Sequence, residues 1–122
     1  MQDNSQQLLE RIAERLKAMA NPLRLQILHA LEDGELSVNG ILDQVGGSQG
    51  NVSKHLSVLH GADLVTRRRD GTNIFYAISD AAVFAVCRTV CDSLHSQAAA
   101  EVAAIERARD EMLGPRSENT IQ

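Results

Sequence analysis

The chain has 122 residues, of which 43% are apolar, with two Phe, one Tyr and no Trp, and its net charge is −4. This length and composition predict one domain with a modest, helix-rich core. No apolar run approaches the roughly 18 residues that a membrane-spanning helix needs, and the polar N-terminus differs from a signal peptide. We therefore expect a cytoplasmic protein without a membrane partner.

The first two predicted helices are separated by a strong boundary. Residues 5–20 form an amphipathic pattern in which Leu8, Ile12 and Leu16 belong to one apolar stripe. Asn21-Pro22 follows, with Asn in the N-cap position and Pro at the first helical position. A second helix is therefore predicted from Pro22 to Leu31, before Asp33-Gly34.

Two further helices are predicted around a glycine turn. Ser37 is an N-cap candidate for a short helix to about Val45, and Gly46-Gly47 separates it from Ser48, which can cap the next helix. That fourth helix ends near Gly61. Its outward face is polar and lacks carboxylates; it carries Gln49, Asn51, Ser53, Lys54 and Ser57. Short polar side chains with a cation suit contact with base edges and phosphates, so this is the predicted reading helix.

A hairpin is predicted directly after the reading helix. Strand-like runs at 64–69 and 72–78 flank Asp70-Gly71, a pair in which both turn residues are expected to have positive φ. An arginine-rich edge can be a solvated edge that deters strand pairing. Next to a polar helix, it favours a wing that contacts phosphates or the minor groove. The tip residues are Arg67, Arg68, Arg69, Thr72 and Asn73.

Positive charge is concentrated in this central segment. Residues 48–73 contain four Lys or Arg against two Asp, whereas the segments on either side are acidic. The local field, and not the net charge of the chain, steers binding to a polyanion. The acidic balance of the whole chain therefore leaves DNA binding open.

A long helix is predicted from Ser79 to about Leu113, ended by Gly114-Pro115. Its apolar stripe exceeds what a small domain can cover alone, which predicts contact with a second copy. We assign residues 1–115 to the folded domain and expect residues 116–122 to be a disordered tail.

Five blocks in this order resemble the ArsR/SmtB family of bacterial repressors: NPLRLQIL at 21–28, GELSV at 34–38, SQGNVSKHLSVL at 48–59, GADLV at 61–65 and RRRDGTNIFY at 67–76. The resemblance covers about residues 8–95. It implies a mostly α-helical winged helix-turn-helix with a small β-hairpin, and a homodimer through the first and last helices. It also implies a repressor that a small inducer releases from operator DNA.

The resemblance also assigns candidate DNA contacts. The reading helix and its cap match the family's recognition helix, residues 67–73 match the wing, and Ser37 precedes the third helix. The resulting set of DNA-binding residues is Ser37, Ser48, Gln49, Gly50, Asn51, Ser53, Lys54, His55, Arg67, Arg68, Arg69, Thr72 and Asn73.

Two sensor sites known in the family lack their matching residues here. The Cys-Val-Cys of its arsenic- and cadmium-type site corresponds to Ser37-Val38-Asn39. For the zinc-type site, Asp80 matches the first carboxylate, but Ala82 occupies the next histidine position. His95 lies one step from a later position. The resemblance therefore implies that both common metal sites are missing.

Cys87 and Cys91 are the only cysteines, four residues apart on the last predicted helix. Their Cβ atoms should be too far apart for an unstrained disulfide within the helix. Two thiolates at this spacing can bind one soft ion, which makes As(III), Sb(III) or an organoarsenical the preferred inducer. Thiol oxidation or persulfide sensing is an alternative, and so is a purely packing role, because buried Cys behaves as a small hydrophobe.

No motif supports catalysis, since nucleophile and phosphate-binding patterns are absent from the sequence. We therefore expect no enzyme activity. Two other classes remain open: a winged-helix module that binds protein, and a constitutive DNA binder without an inducer.

Overall fold

The computed structural model describes residues 3–114, so the predicted tail at 116–122 lies outside the described residues. The helices are α1 (Asn4–Met19), α2 (Pro22–Ala30), α3 (Val38–Val45), α4 (Gln49–Gly61) and α5 (Ala82–Leu113), and the strands are β1 (Leu36–Ser37), β2 (Val65–Asp70) and β3 (Asn73–Ile78). The mostly helical prediction with a small β-element is confirmed. The chain divides into two units between Phe84 and Ala85, and each is described by itself.

The helix starts follow the predicted caps. The Asn21 side chain accepts hydrogen bonds from the backbone N–H groups of Leu23 and Arg24 at 2.9 and 3.2 Å. Ser37 Oγ accepts one from Gly40 at 3.1 Å. These side chains satisfy amides that the first turn of a helix leaves free. Local sequence therefore fixes where α2 and α3 begin.

The core of the first unit lies between α2, α3, α4 and the sheet. Most of the almost fully buried side chains come from these elements and from the end of α1, while Leu31 and Leu64 lie in connections and Val83 lies at the start of α5. Burial removes their apolar surface from water. They are Ala18, Met19, Ile27, Leu28, Leu31, Ile41, Val52, Leu56, Leu59, Leu64, Val65, Tyr76 and Val83.

The sheet contains a strand that the sequence did not predict. Its order is β1-β3-β2, with both pairs antiparallel. The two residues of β1 pair with β3, Leu36 opposite Tyr76 and Ser37 opposite Phe75. Two residues are too few to show the alternation of apolar and polar side chains that predicts a strand. Strand β1 is instead defined by its pairing with β3. The wing is thus attached to the start of α3.

The predicted turn chemistry is wrong at the wing tip. Asp70 pairs with Asn73 within the hairpin, so the loop residues are Gly71 and Thr72. Gly71 has a φ of 63°, but neither Asp70 nor Thr72 has a positive φ. Positive φ at the first loop residue alone is the pattern of a type II′ turn, not of the type I′ turn expected for Asp-Gly.

Helix α4 ends by a cap at Asp63, and not at Gly61 as the sequence predicted. Gly61 is helical, and Asp63 adopts the left-handed conformation with a φ of 61°. Leu64 N–H donates to the Leu59 carbonyl, and Asp63 N–H donates to the His60 carbonyl, at 3.0 Å each. This is a Schellman cap in which Asp replaces the usual Gly. Buried Leu59 and Leu64 accompany the cap, which directs the chain from α4 into β2.

The last helix begins at Ala82, three residues later than predicted, after Asp80 Oδ1 accepts a hydrogen bond from the Ala82 N–H at 2.9 Å. Among residues 3–114, no helix combines the length and apolarity that crossing a bilayer would require.

Candidate nucleic-acid interface

Helix α4 presents a polar face because its apolar side chains are used in the core. Val52, Leu56 and Leu59 are fully buried, and they recur at helical spacing. Ser48 Oγ caps the helix by accepting a hydrogen bond from Asn51 N–H at 3.2 Å. Ser53 and His55 are half-buried, and the other positions on this side of the helix and at its cap are exposed: Ser48, Gln49, Gly50, Asn51, Lys54 and Ser57.

Helices α3 and α4 are joined by a turn that requires glycine. Gly46 and Gly47 have φ values of 75° and 85°, in the left-handed region. Gly46 N–H donates to the Leu42 carbonyl at 2.8 Å and ends α3. The next residue is the α4 cap, so the turn is short and fixes how α4 leaves α3. This is the helix-turn-helix arrangement that the sequence predicted.

Strand alternation separates the three arginines of the wing. Arg67 and Arg69 lie on the same face of β2 as Val65, which is buried against the helices. Arg68 lies on the opposite face and pairs in register with Phe75. Arg67 and Arg69 therefore share the side of the sheet on which α4 packs.

Arg68 is engaged within the chain. Its Nε and Nη2 donate to the Glu35 carboxylate at 2.7 and 2.6 Å, and its guanidinium carbon lies 4.6 Å from the centroid of the Phe75 ring. The hydrogen bond from Arg68 lowers the pKa of Glu35, and the same bond raises the pKa of Arg68. Of the three predicted phosphate contacts in the wing, this one already has a counter-charge.

Three other cations remain available at this surface. Lys54, Arg67 and Arg69 make no ion pair with any other residue between 3 and 114. All three are exposed. Their charge is therefore uncompensated locally, which favours an approaching polyanion.

A cleft joins the wing to both helices of the helix-turn-helix. It has a volume of about 330 Å³ and brings together six of the thirteen predicted contacts, from three separate parts of the chain. Its lining side chains are Ser37, Val38, Asn39, Gln49, Ser53, Ser57, Arg67, Thr72, Asn73, Ile74 and Tyr76. The fold thus assembles one polar surface from α3, α4 and the hairpin.

His55, predicted as a DNA contact, is half-buried against α2. Its Nδ1 accepts a hydrogen bond from Arg24 Nε at 3.1 Å, so this nitrogen carries no proton. Arg24 Nη1 also donates to the Ala18 carbonyl at 3.4 Å. Arg24 therefore links the end of α1 to the reading helix. Burial lowers the pKa of His55, and the positive charges of Arg24 and Lys54 lower it further.

The lowered pKa predicts an acid-sensitive fold. As the pH falls below about 6.5, the ordinary histidine pKa, the unfolded chain binds the proton before the folded chain does. The contribution of neutral His55 to the free energy of unfolding should therefore be complete above pH 6.5. It should decrease as the pH falls towards the folded-state pKa. Urea unfolding at pH 7 and pH 5 measures this loss.

His55→Gln is the matched variant for this measurement, because an amide oxygen can accept the Arg24 hydrogen bond without titrating. We expect the variant to lose less stability than the wild type between pH 7 and pH 5. The two proteins differ at this position alone, so the difference between their losses reports on His55. Equal losses would show that His55 does not carry the pH dependence.

The two cysteines lie in the second unit, on α5. Both are free thiols, with Cys87 half-buried and Cys91 exposed. No group of three or more His, Cys, Asp or Glu able to hold a metal ion occurs among residues 3–114 of one chain. The part of one chain that the structure describes therefore supplies no third His, Cys, Asp or Glu ligand beside this pair.

Sequence reasoning missed several residues of this surface. Asn39 and Tyr76 line the cleft but were not among the predicted contacts. Asn39 follows the Ser37 cap by two residues, a position that could have indicated it. The Glu35 contact with Arg68 spans 33 residues and has no local signal.

Comparison with known proteins identifies a consistent set of relatives. The model of the "Bacterial regulatory protein, arsR family" matches residues 21–67. An uncharacterized HTH-type transcriptional regulator of Methanocaldococcus jannaschii is 39% identical over 82 residues, which are 66% of this chain and 92% of that protein. The nodulation protein NolR of Rhizobium meliloti is 43% identical over 77 residues, 63% of each protein.

The HTH-type regulator KmtR of Mycobacterium tuberculosis is 44% identical over 69 residues, 57% of this chain and 53% of that protein. The matches to KmtR and NolR thus span about half to two thirds of those relatives.

Solved structures have the same fold. NolR from Sinorhizobium fredii superimposes with a TM-score of 0.66 at 30% identity, over 95% of this chain and 97% of that one. A homodimeric winged helix-turn-helix DNA-binding domain from Mycobacterium bovis gives a TM-score of 0.70 at 35% identity, over 80% of this chain and 93% of that one. The fold is therefore a winged helix-turn-helix.

Proposed function

The chain belongs to the ArsR family of bacterial regulatory proteins, and we propose that it is a homodimeric repressor that binds double-stranded operator DNA and is released by a small inducer. The observation that carries the proposal is the single cleft that unites α4, the start of α3 and Arg67 of the wing. A protein of this kind would act in the cytoplasm, where its operator lies.

The surface divides into two kinds of contact. Exposed Gln49 and Asn51 sit in the first turn of α4, where a helix entering the major groove can hydrogen-bond to base edges. Lys54, Arg67 and Arg69 carry the uncompensated charge that binds phosphates. Base contacts specify the site, and phosphate contacts supply affinity and orientation.

Exposed apolar side chains support the proposed dimer. Among the described residues, every exposed large hydrophobic side chain lies on α1 or α5. On α1, Leu9 is 64% exposed, and on α5, Ile105 is 68% exposed. A second copy would bury these stripes, and a two-fold dimer would present two reading helices to a palindromic site. The full set is Leu8, Leu9, Ile12, Leu16, Val86, Val90, Leu94, Val102, Ile105, Met112 and Leu113.

For the inducer, we propose a thiophilic species bound by Cys87 and Cys91, with As(III) or Sb(III) preferred. The exposure of Cys91 supports access by a reagent, and the spacing of the pair supports shared binding of one soft atom. In a dimer the two pairs would supply four thiols. Thiol oxidation or persulfide formation at the same pair is the second candidate, supported by the same exposure.

The test is release of the reduced protein from DNA taken from upstream of its own gene. Arsenite, zinc and a persulfide donor are titrated in separate arms, with fluorescence anisotropy as the measurement. We expect arsenite to lower the affinity of the wild type by at least tenfold, because a thiolate-bound metalloid would change the packing around α5.

The Cys87→Ser/Cys91→Ser variant is the control, since serine retains the size of the side chain but not its affinity for soft ions. We expect this variant to bind DNA with wild-type affinity and to keep that affinity when arsenite is added. Release by the persulfide donor alone would favour the second candidate. An equal response of variant and wild type would assign the cysteines to packing.

A further inference from the structure

Tyr76 is almost wholly buried, yet its hydroxyl has no hydrogen-bond partner in the described part of the chain. The residue is 5% exposed, and its ring belongs to the core. Its hydroxyl makes no hydrogen bond within residues 3–114, and it is not one of the buried unsatisfied atoms, so it still meets solvent. Tyr76 lines the cleft between the wing and the helix-turn-helix. A buried ring thus directs an unused hydroxyl towards that cleft.

The side chains and amides around this hydroxyl are suited to an anion. Arg67 pairs with Tyr76 across the hairpin and lines the same cleft, where it has no carboxylate partner. The eight-residue helix α3 begins beside it, with Val38 and Asn39 in its first turn. The Ser37 side chain satisfies the amide of Gly40, whereas the amides of Val38 and Asn39 have no acceptor within the helix.

Among residues 3–114, no carboxylate lines the cleft. Hydroxyl, guanidinium and free backbone amides are all donors, and they converge where the partial positive charge of a helix start adds to that of an arginine. A base edge offers donors and acceptors in alternation, whereas a phosphodiester offers acceptors only. The donor set therefore fits a phosphodiester better.

We propose that this cleft binds one backbone phosphate of the operator through the Tyr76 hydroxyl, the Arg67 guanidinium and the first amides of α3. The inference rests on the proposed function and adds a specific ligand group to it. Tyr76 becomes a DNA-contacting residue that links the wing to the helix-turn-helix across a single phosphate. Its ring holds the hydroxyl in place before DNA arrives, so little side-chain freedom is lost on binding.

Tyr76→Phe isolates the hydroxyl because it leaves the buried ring intact. Because the variant would lose one hydrogen bond to a charged phosphate, we expect its DNA affinity to fall by about tenfold or more. Its melting temperature should be unchanged. Thr66→Val is the matched control, since it removes an exposed hydroxyl from the opposite face of the same sheet. We expect Thr66→Val to bind DNA within about twofold of the wild type.

A spectroscopic readout locates the contact. Tyr76 is the only tyrosine of the chain, so 3-fluorotyrosine labelling gives a single ¹⁹F resonance from this site. We expect the resonance to shift when an operator duplex is added. Replacing operator phosphates one at a time by neutral methylphosphonate should abolish the shift at one position per half-site. The same replacement should weaken wild-type binding but not binding of Tyr76→Phe.

Three results would overturn the inference. Tyr76→Phe could bind as tightly as the wild type, or the methylphosphonate effect could be equal in both proteins. An identical shift with inorganic phosphate alone would assign the cleft to a free anion. The first two results leave wild-type DNA binding intact and refute only the phosphate contact. A wild type that binds no duplex would refute the proposed function together with the contact.

Discussion

Replacing Arg67 and Arg69 together with Ala should weaken DNA binding on the order of 100-fold at 0.1 M salt, because a dimer would lose four uncompensated cations. Both side chains are exposed, lie on the face of β2 shared with α4, and have no ion pair in the described chain. Fluorescence anisotropy with an operator duplex measures the loss. The variant should remain folded, since neither side chain belongs to the core.

Arg68→Ala is the internal control for this prediction. Because Arg68 is already bound to Glu35 and stacked on Phe75, we expect its loss to change DNA affinity by about threefold or less. The melting temperature should fall slightly, since β2 loses its contacts with Phe75 on β3 and with Glu35, which precedes β1. Equal effects from the two variants would mean that the faces of the wing are wrongly assigned.

The second large effect is expected at the proposed dimer interface. Changing Ile12 and Leu16 of α1 to Glu places charges on a stripe that the dimer would bury, where an unpaired charge is costly. We expect sedimentation to give half the wild-type mass. Operator affinity should then fall on the order of 10²–10⁴-fold, because two linked reading helices become independent.

Gln7→Glu adds a charge to the opposite face of the same helix and should leave both mass and affinity unchanged. Circular dichroism should show that the Ile12→Glu/Leu16→Glu variant keeps its helices, since the buried residues of the first unit are untouched. A variant that sediments like the wild type would place the interface elsewhere.

Local chemistry made much of the fold predictable. Asn21, Ser37 and Ser48 are N-caps whose role follows from the residue type and its position before an apolar pattern. Each accepts a first-turn amide as expected. The spacing of Val52, Leu56 and Leu59 correctly identified the buried face of α4, and hence its polar face.

Prediction from the sequence failed for structural features that depend on contacts between residues far apart in the chain. Strand β1 forms because Leu36 and Ser37 pair with β3, about 40 positions further along the chain. The hairpin turn is shifted by one residue because pairing of Asp70 with Asn73 overrides the local preference of Asp-Gly. Neither contact has a local signature, so propensity and periodicity could not reveal them.

The wing shows why composition alone is a coarse guide to a binding site. Three consecutive arginines looked equivalent in the sequence, but strand alternation places Arg68 opposite Phe75, within reach of Glu35. His55 likewise belongs to a polar helix, yet it turns towards Arg24. Interface residues must therefore be chosen by face and partner as well as by type.

The proposed function depends on binding of double-stranded DNA by the cationic wing and the reading helix. The most direct test is the affinity of the wild-type protein for the duplex upstream of its own gene, measured by anisotropy from 50 to 300 mM salt. Phosphate contacts predict a linear fall of log K with log salt, with a slope of about −4 or steeper for a dimer that neutralises four or more phosphates. Binding that is absent at low salt, or that does not change with salt, would contradict the account.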